Sequence, residues 1–427
     1  MNFFDYRDGR LFAEDVPVDR IAREVGTPCY VYSEATLKRH YGLVRDAFSE
    51  VDNLICYSVK ANSSLAILKL LKEQGAGFDI VSGGELCRVL AVGADPATVV
   101  YAGVGKTRDE IEYALKSGIL MFNVESEAEL ATIDAVAKSL RKKAPVSLRL
   151  NPNVDAKTGH VYTTTGKKGN KFGIDIPAAG KIIARMNDAC RNTRLVGLDM
   201  HLGSPINTVE PYVAGLKRVL KLLAKLRTNG RDVQYLDIGG GFGIEYRGGE
   251  TAAPADYAAA ILPLVKKLGC KLIMEPGRLI VGNSGILLTR VVYLKKSGGK
   301  NFVIIDAAMN DLIRPALYDS FHKIWPARTR VPLSQCLTAT ARTRGCFEAD
   351  VVGPVCESGD FLAKGRVLPK VAQNDLVAVF SAGAYGMSMS SNYNSRGRAA
   401  EVLVAGSRFR VVRWRETCED MLRAERP

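Results

Sequence analysis

The 427-residue sequence has no uninterrupted run of about 18 apolar residues, the length that a membrane-spanning helix needs. Its first residues also lack the apolar segment of a secretory signal, because acidic side chains appear at Asp5 and Asp8. The 40 glycines and 17 prolines follow no short repeat, which excludes a collagen-like chain, and the 47% hydrophobic content excludes a disordered one. We therefore expect a soluble, cytoplasmic globular protein with no membrane partner.

Cysteine pairs at the spacing of a metal or redox site are also missing. The nine cysteines are far apart and none forms a C-x-x-C pair, so we expect no metal. In a chain without a secretory signal we expect reduced thiols, most of them buried as small apolar residues. Eight are interpreted as packing residues, and only Cys356 has neighbours that indicate more.

Acidic residues are outnumbered, 45 against 59 basic ones, which gives a net charge of +14. Such a surplus raises the question of nucleic-acid binding. The basic residues are nevertheless spread along the chain, and the densest clusters, Arg141–Lys143 and Lys167–Lys168, are short. A nucleic-acid footprint is normally a patch or stripe, so we favour an ordinary basic surface or one that attracts anionic ligands.

Eight short apolar runs recur from residue 54 onward, each followed by a turn. They are Leu54–Val59, Phe78–Val81, Val99–Tyr101, Leu120–Val124, Val146–Leu150, Leu195–Met200, Val233–Ile238 and Lys271–Met274. Intervening segments such as Leu65–Gly75 and Arg108–Ser117 have helical periodicity. Alternating strands and helices predict a parallel sheet, and eight units favour a (β/α)8 barrel over a doubly wound sheet. One long connection, Asn151–Lys171, is of a length typical of functional or mobile loops.

After about residue 285 the strand-like runs lack helices of matching length, which predicts an all-β segment. The runs are Ile286–Leu294, Phe302–Asp306, Phe347–Val352, Leu376–Phe380, Glu401–Ala405 and Phe409–Arg413. Near the N-terminus, a helical segment, Val18–Val25, precedes another strand, Cys29–Tyr32. We predict an α/β protein with a barrel over residues 36–285 and a β-domain formed by residues 1–35 and 286–427.

Active sites of such barrels lie at the C-terminal ends of the strands, where this sequence places polar groups. Lys60 closes the first run; burial there suits it to form a Schiff base with an aldehyde, although a lysine can also extend to solvent. Gly239–Gly241 let backbone N–H groups approach a phosphate. Glu275 ends the eighth run, with Arg278 three residues beyond it. An aldehyde-binding lysine, phosphate donors and a carboxylate for a pyridine nitrogen together indicate pyridoxal phosphate.

Two glycine-rich segments fail as nucleotide-binding motifs. After Gly239–Gly243, Ile244 and Tyr246 stand where a dinucleotide fingerprint needs its last glycine. Gly103–Thr107 resembles the end of a phosphate-binding P-loop, but Val100 replaces its first glycine. Neither segment therefore predicts a nucleotide.

Several motifs together resemble the fold-type III, alanine-racemase-like pyridoxal-phosphate decarboxylases. They are Tyr57–Asn62, His201–Ser204, Gly239–Gly243, Glu275–Arg278 and Cys356–Asp360. Within this family, the segments Lys171–Gly173, Asn310–Tyr318 and Arg410–Thr417 resemble those of the diaminopimelate decarboxylases. The resemblance covers nearly the whole chain and implies pyridoxal phosphate as cofactor and meso-diaminopimelate as substrate, giving lysine and CO2. It also implies a homodimer with its active site at the subunit interface.

The resemblance implies a role for individual residues. The matches to cofactor-binding residues are Lys60, which binds the aldehyde, His201, which stacks on the ring, Ser204, Gly239, Gly240 and Gly241 at the phosphate, Glu275 at the pyridine nitrogen, and Pro276, Gly277, Arg278 and Tyr385. The matches to substrate-binding residues are Arg278, Arg314, Tyr318 and Tyr385, with Glu357 at the distal ammonium. Cys356 matches a thiol that the second subunit places near the reacting carbon, and either Cys356 or Lys60 returns the proton.

Two alternatives stay open. The first is a decarboxylase of ornithine, arginine or lysine on the same fold; those substrates lack a second carboxylate, so the pair Arg278 and Arg314 argues against it. The second is a catalytically inactive regulatory homologue that binds partners through this fold. An intact Lys60, Glu275 and Cys356 argue against that reading.

Overall fold

The computed structural model describes residues 2–156, 166, 169–249 and 251–426. The chain divides into two compact units. The first, called the barrel unit below, comprises His40–Ile244 and Glu250–Leu279. The second, called the β-unit, comprises Met1–Arg39, Glu245–Gly249 and Ile280–Pro427.

The N-terminal segment of the β-unit begins with a small antiparallel sheet. Its elements are β1 (Phe4–Arg7), β2 (Arg10–Ala13), β3 (Val16–Pro17), the helix α1 (Val18–Val25), β4 (Cys29–Ser33) and the helix α2 (Glu34–Ala47), which continues into the barrel unit. The helix α1 packs with Val18, Ile21 and Ala22 buried and with charged residues on its other face. This is the amphipathic pattern that its sequence predicts.

The barrel unit is built on parallel strands. They are β5 (Asn53–Ser58), β6 (Gly77–Ile80), β7 (Val99–Tyr101), β8 (Met121–Val124), β9 (Ala144–Asn151), β10 (Ile174–Asp175), β11 (Thr193–Met200), β12 (Tyr235–Asp237) and β13 (Lys271–Met274). Eight of them close into a ring, because β13 pairs with β5 and β8 pairs with β9, while β10 adds to the end of β9. The predicted (β/α)8 barrel is confirmed, and the doubly wound alternative is wrong.

Helices follow the strands of the ring. They are α3 (Leu65–Glu73), α4 (Gly83–Ala91), α5 (Arg108–Ser117), α6 (Glu127–Ser139), α7 (Ile176–Ala189), α8 (Glu210–Thr228), α9 (Pro254–Val265) and the short α10 (Arg278–Val281). Several begin with side-chain caps: the hydroxyl of Ser82 accepts from the N–H of Glu85, and Thr107 and Glu110 form a reciprocal capping box. Such caps satisfy backbone donors that a helix leaves unpaired, and they fix where each helix leaves the barrel rim.

The rest of the β-unit is a larger sheet with two short helices. Its elements are β14 (Gly285–Ser297), β15 (Lys300–Ile305), α11 (Arg314–Tyr318), β16 (Ile324–Pro326), β17 (Cys346–Val352), β18 (Phe361–Pro369), β19 (Leu376–Val379), β20 (Ala400–Ala405), β21 (Arg408–Arg413) and α12 (Cys418–Leu422). β4 lies between β14, to which it is antiparallel, and β20, to which it is parallel. The N-terminal strand thus joins the C-terminal sheet, as predicted.

Some strands were not predicted from the sequence. β18 was not predicted, because Lys364, Gly365 and Arg366 interrupt its apolar residues. β1 to β3 are only two to four residues long, which is too short for a periodic signal. Of the long connection Asn151–Lys171, residues 157–165 and 167–168, including the Lys167–Lys168 cluster, lie outside the described residues.

The interpretation of eight cysteines as packing residues is partly wrong. All nine thiols are free, and Cys29, Cys56, Cys190, Cys336 and Cys346 are buried. Cys87 and Cys418 are instead exposed, because each lies on the solvent face of a helix. Over the described ranges, no helix combines the length and the apolar character that crossing a bilayer requires.

Candidate active site

Lys60 lies at the carboxyl-terminal rim of the barrel, where all the parallel strands end. It follows β5 in a single 3-10 turn, Val59–Ala61. Its ammonium is ion-paired with Asp79 of the neighbouring strand β6, which is fully buried. The hydroxyl of Ser58 lies 2.7 Å from Oδ2 of Asp79 and 2.9 Å from the carbonyl oxygen of Glu275. Asp79 therefore holds the amino group of Lys60 at the rim.

Three buried carboxyl groups lie beside this pair. Asp199, Asp237 and Glu275 come from β11, β12 and the end of β13, and an oxygen of each lies within 4.8 Å of the others. The side-chain amide of Asn123 donates to Oδ2 of Asp237 and Oε1 of Glu275, at 3.2 Å each. Burial and the negative charge of Asp199 raise the pKa of Asp237 to about 8. Burial and Asp237 raise the pKa of Glu275 well above its usual value. These carboxyl groups need a cation beside them to ionise together.

Arg149 of β9 supplies part of that positive charge. It is buried, its Nη1 donates to Oε1 of Glu125 at 2.7 Å, and its Nε lies 3.9 Å from Oδ2 of Asp199. Although burial opposes its charge, Glu125 and Asp199 raise its pKa. The guanidinium also lies 5.0 Å from the ring of Phe172, and the N–H of Gly173 donates to Oε2 of Glu125 at 3.0 Å. The Lys171–Gly173 motif thus contacts this charged network.

His201 follows β11 at the same rim. Its Nδ1 accepts a hydrogen bond from the N–H of Gly203 at 3.2 Å. Burial and the positive charges of Arg149 and Lys60 lower its pKa well below the usual value. The ring is therefore neutral at physiological pH, and its proton is on Nε2. A neutral imidazole presents a flat, uncharged face to a bound ring.

The glycine segment after β12 has no room for side chains. A Cβ on Gly240 would lie 2.0 Å from the carbonyl oxygen of Glu275, and one on Gly241 would lie 2.0 Å from that of Gly203. Gly241 also has φ of +99°, which favours glycine. Close to this segment, Nε of Arg278 donates to the hydroxyl of Ser204 at 3.2 Å. The rim therefore offers a backbone cradle with a guanidinium and a hydroxyl.

In the β-unit, Arg314 begins α11 and is buried. Its Nη1 lies 2.9 Å from Nε2 of His322, and its guanidinium lies 4.8 Å from the ring centre of Tyr246. Nδ1 of His322 lies 2.9 Å from the carbonyl oxygen of Phe380, which only accepts. Nδ1 therefore carries the proton of His322, and Nε2 accepts from Arg314. Tyr318 lies at the other end of the same short helix and is half-buried.

Cys356 and Glu357 are exposed in the connection between β17 and β18. The N–H of Cys356 donates to Oδ1 of Asn394 at 2.8 Å, and the hydroxyl of Tyr393 donates to Oε2 of Glu357 at 2.7 Å. Tyr385, elsewhere in the β-unit, has φ of +56°. A non-glycine residue rarely adopts this conformation, and such strain often marks a functional position.

The predicted site residues thus fall into two sets. The barrel unit holds Lys60, His201, Ser204, Gly239, Gly240, Gly241, Glu275, Pro276, Gly277 and Arg278, and the β-unit holds Arg314, Tyr318, Cys356, Glu357 and Tyr385. Within the first set the structure joins Lys60 to Glu275 through Ser58 and Asp79, and Arg278 to Ser204.

Several buried polar residues of the barrel interior had no role predicted from the sequence. Among them are Asp79, Asn123, Arg149, Asp199 and Asp237. Their signal was a charged or amide residue within an apolar strand, as in Leu148-Arg149-Leu150. Such a residue is costly to bury unless it has partners, so it indicates a polar network.

This chain is similar to known proteins over nearly its whole length. The pyridoxal-binding domain of pyridoxal-dependent decarboxylases matches residues 34–282. Diaminopimelate decarboxylase of Pseudomonas aeruginosa is 50% identical over 425 residues, which cover 100% of this chain and 99% of that protein. The crystal structure of diaminopimelate decarboxylase from Helicobacter pylori, complexed with L-lysine, has 41% identity and a TM-score of 0.88, over 95% of this chain and 98% of that one. The enzyme from M. jannaschii, also with L-lysine, has 34% identity and a TM-score of 0.91, over 100% and 98%.

Proposed function

Because this chain belongs to the diaminopimelate decarboxylase family of pyridoxal-dependent decarboxylases, we propose that it converts meso-2,6-diaminopimelate to L-lysine and CO2. This reaction is the last step of lysine biosynthesis. L-lysine, the product of the proposed reaction, is the molecule bound in both solved relatives named above. Decarboxylation of ornithine, arginine or lysine, the alternative, would leave either Arg278 or Arg314, both of which are buried, without a carboxylate to bind.

Pyridoxal phosphate is the cofactor of this family, and the barrel rim fits it. The glycine segment 239–241 has no space for a Cβ, as a close backbone cradle for a phosphate requires, and Ser204 adds a hydroxyl. Lys60 would hold the aldehyde, His201 would lie flat on the ring, and Glu275 would face the ring nitrogen. A cationic ring nitrogen would supply the positive charge that the buried carboxyl cluster needs to ionise. When bound, the cofactor delocalises the electron pair left behind by CO2.

The remaining site residues are proposed to recognise the two ends of the substrate. Arg278 and Arg314 bind carboxylates, for which the planar guanidinium suits a bidentate contact. His322 supports this role for Arg314, because its Nε2 acceptor fixes the orientation of the guanidinium. Tyr318 is proposed to bind a substrate carboxylate, Tyr385 to contact both cofactor and substrate, and Glu357 to receive the distal ammonium.

Either Cys356 or Lys60 returns a proton to the carbon that lost CO2. The thiol of Cys356 is exposed, and the amino group of Lys60 is held by Asp79. Cys356→Ala separates the two, because it removes one donor and leaves the other. A large fall in kcat with unchanged cofactor binding assigns the proton to the thiol.

We also propose that the protein is a cytoplasmic homodimer. The exposure of Cys356 and Glu357 supports a role for them in the partner subunit's active site, and the nine free thiols support a reducing compartment. The proposed domains are residues 36–285 and residues 1–35 with 286–427, close to the two compact units. Sedimentation of the purified protein tests the dimer, and a fully active monomer would contradict it.

The observation that carries this proposal is the Lys60–Asp79 ion pair at a barrel rim that also holds the glycine cradle. The test measures CO2 release from meso-diaminopimelate, ornithine, arginine and lysine, together with the visible absorption of the purified holoenzyme. Lys60→Ala should abolish both activity and the lysine-bound cofactor band, whereas Lys69→Ala, at an exposed position of α3, should leave both unchanged. Equal rates on all four substrates would contradict the substrate, and an unchanged spectrum of Lys60→Ala would contradict the site.

A further inference from the structure

We infer that residues 392–395 form a positioning turn for Cys356 and Glu357, and that Glu416 of the C-terminal segment holds this turn in place. The inference rests on the proposed function, because it takes Cys356 and Glu357 as the groups that face the substrate. It adds Tyr393, Asn394 and Glu416 as positioning residues, which would act through their neighbours and not by touching the substrate.

Two consecutive residues of the turn contact Cys356 and Glu357, which are consecutive in the connection between β17 and β18. Oδ1 of Asn394 accepts from the backbone N–H of Cys356 at 2.8 Å, and the hydroxyl of Tyr393 donates to Oε2 of Glu357 at 2.7 Å. One contact therefore fixes the backbone that carries the thiol, and the other fixes the carboxylate itself. Because Cys356 and Glu357 are exposed, packing does little to hold them, and these hydrogen bonds carry the positioning.

The conformation of the turn brings the Asn394 amide to Cys356. Asn394 has φ of +55° and ψ of +30°, and the next residue, Ser395, has φ of +52°. Asparagine tolerates the left-handed region better than most residues do. Keeping two successive non-glycine residues there costs free energy, so contacts elsewhere must stabilise the turn.

Glu416 supplies these contacts. Its Oε2 accepts from the side-chain amide of Asn392 at 2.8 Å and from the N–H of Arg398 at 2.9 Å, and its Oε1 accepts from Nη1 of Arg398 at 2.9 Å. Although burial opposes ionisation, the hydrogen bonds from Arg398 and Asn392 lower the pKa of Glu416 to about 2. The carboxylate is therefore ionised at any working pH, and it contacts Asn392, the first residue of the turn, and Arg398, three residues beyond its end.

The connection between β17 and β18 is also held in place by one of its own residues, Asp360. The buried carboxylate of Asp360 accepts from the N–H of Met309 and from that of Val355, at 2.7 Å each. Asp360 therefore fixes the connection on either side of Cys356, and the positioning turn fixes its exposed middle. The thiol of Cys356 has no hydrogen-bond partner among the described residues, so the segment is held without engaging the reactive group itself.

The two contacts predict different kinetic losses. Loosening the Cys356 backbone misplaces the thiol, which this inference takes as the group that returns the proton after the substrate has bound, so it should lower kcat. Releasing the Glu357 carboxylate weakens the hold on the distal ammonium, so it should raise KM. If Asn394 and Tyr393 contributed only to the stability of the fold, their substitutions would not change kcat and KM separately.

The decisive variant is Asn394→Gly in the holoenzyme, because glycine keeps the left-handed backbone and removes only the acceptor. We expect kcat on meso-diaminopimelate to fall about five- to tenfold with little change in KM. The matched control is Asn374→Gly, an exposed asparagine at φ of +74° in the same unit, which should stay near wild type. Asn394→Asp restores an acceptor oxygen and should recover most of the loss. Tyr393→Phe should instead raise KM several-fold.

Hydrogen–deuterium exchange gives a readout that does not depend on activity. The amide of Cys356 should exchange faster in Asn394→Gly than in wild type or Asn374→Gly, and Glu416→Gln should produce a smaller increase. If the wild-type enzyme does not act on meso-diaminopimelate, the proposed function fails, while exchange still tests the turn. Unchanged exchange at Cys356 together with unchanged kcat in Asn394→Gly would overturn the inference.

Discussion

The barrel rim and the connection between β17 and β18 both carry predicted site residues, but they hold them by different physical means. At the rim, Asp237 and Glu275 are buried against one another, and burial changes their pKa values. In the connection, Cys356 and Glu357 are exposed, and single hydrogen bonds from a neighbouring turn set where they lie. The rim thus adjusts the charge of its groups, and the hydrogen bonds of the connection set the position of Cys356 and Glu357.

This difference decides how strongly each region should respond to substitution. Removing a buried charged group leaves its partners uncompensated in a low-dielectric interior, which costs several kcal/mol, about 3–5 for a buried ion pair. Removing one hydrogen bond at an exposed turn costs only about 1 kcal/mol. Substitutions at the rim should therefore affect both stability and catalysis far more than those in the connection.

Of the substitutions that test this difference between the two regions, Glu275→Gln should have the largest effect. Glutamine keeps the shape and can still accept from Asn123, but it removes the negative charge proposed to face the ring nitrogen. We expect kcat to fall at least about a hundredfold, as when a preorganised electrostatic contact is lost. Glu112→Gln, at a partly exposed position of α5, is the control and should leave kcat unchanged. If kcat fell no further in Glu275→Gln than in Asn394→Gly, the proposed difference between the rim and the connection would be wrong.

Gly241→Ala should produce the next largest effect, in stability and cofactor affinity. The added Cβ would lie 2.0 Å from the carbonyl oxygen of Gly203 at φ of +99°, so the backbone must shift. We expect the free energy of unfolding to fall by about 2–4 kcal/mol. Gly230→Ala separates steric overlap from backbone strain: its φ is +73°, but its Cβ meets open space, so about 1 kcal/mol is expected. Chemical denaturation measures both, and equal losses would mean that the cradle is not tightly packed.

The fold was largely predictable because its barrel follows a strict pattern. Eight apolar runs predicted the eight ring strands, some with the same limits as in the structure, such as Val99–Tyr101 and Lys271–Met274. The β-unit was harder to predict, since its strands depend on partners far away in the sequence. β18 forms although Lys364 and Arg366 interrupt it, because the whole length of β17 pairs with it.

The site was predictable only where a residue carries its own signal. Lys60 closes an apolar strand, and three consecutive glycines are conspicuous in a sequence; their roles stay predictions. Asn123 signalled only a polar residue within an apolar strand and was silent about its bridge to Asp237 and Glu275, which are more than 100 positions away. Exposed Asn394 was equally silent, since only the folded chain brings its amide to Cys356.

The smallest expected effect is a change of stability with pH that is due to Glu85, at the edge of the rim. Its Oε2 accepts from the N–H of Val81 at 2.8 Å. Burial raises its pKa from 4.5 to about 7, although Lys60 and that N–H oppose the shift. The native state therefore holds this proton up to a higher pH than the unfolded chain does. Its contribution to stability is greatest below about pH 4.5 and declines as the pH rises towards 7.

Glu85→Gln removes this titration and keeps an acceptor for Val81. In the cofactor-free protein, the free energy of unfolding of the variant relative to wild type should rise between about pH 4.5 and pH 8, by about 1–2 kcal/mol. Urea denaturation at several pH values measures this difference in the free energy of unfolding. The control is Glu73→Gln, which makes the same replacement on the exposed side of α3. Because the gain comes from burial, it should be absent at Glu73. If the difference in stability between Glu85→Gln and wild type did not change with pH, Glu85 would be solvated. The buried part of the rim, where burial shifts pKa values, would then not extend to Glu85.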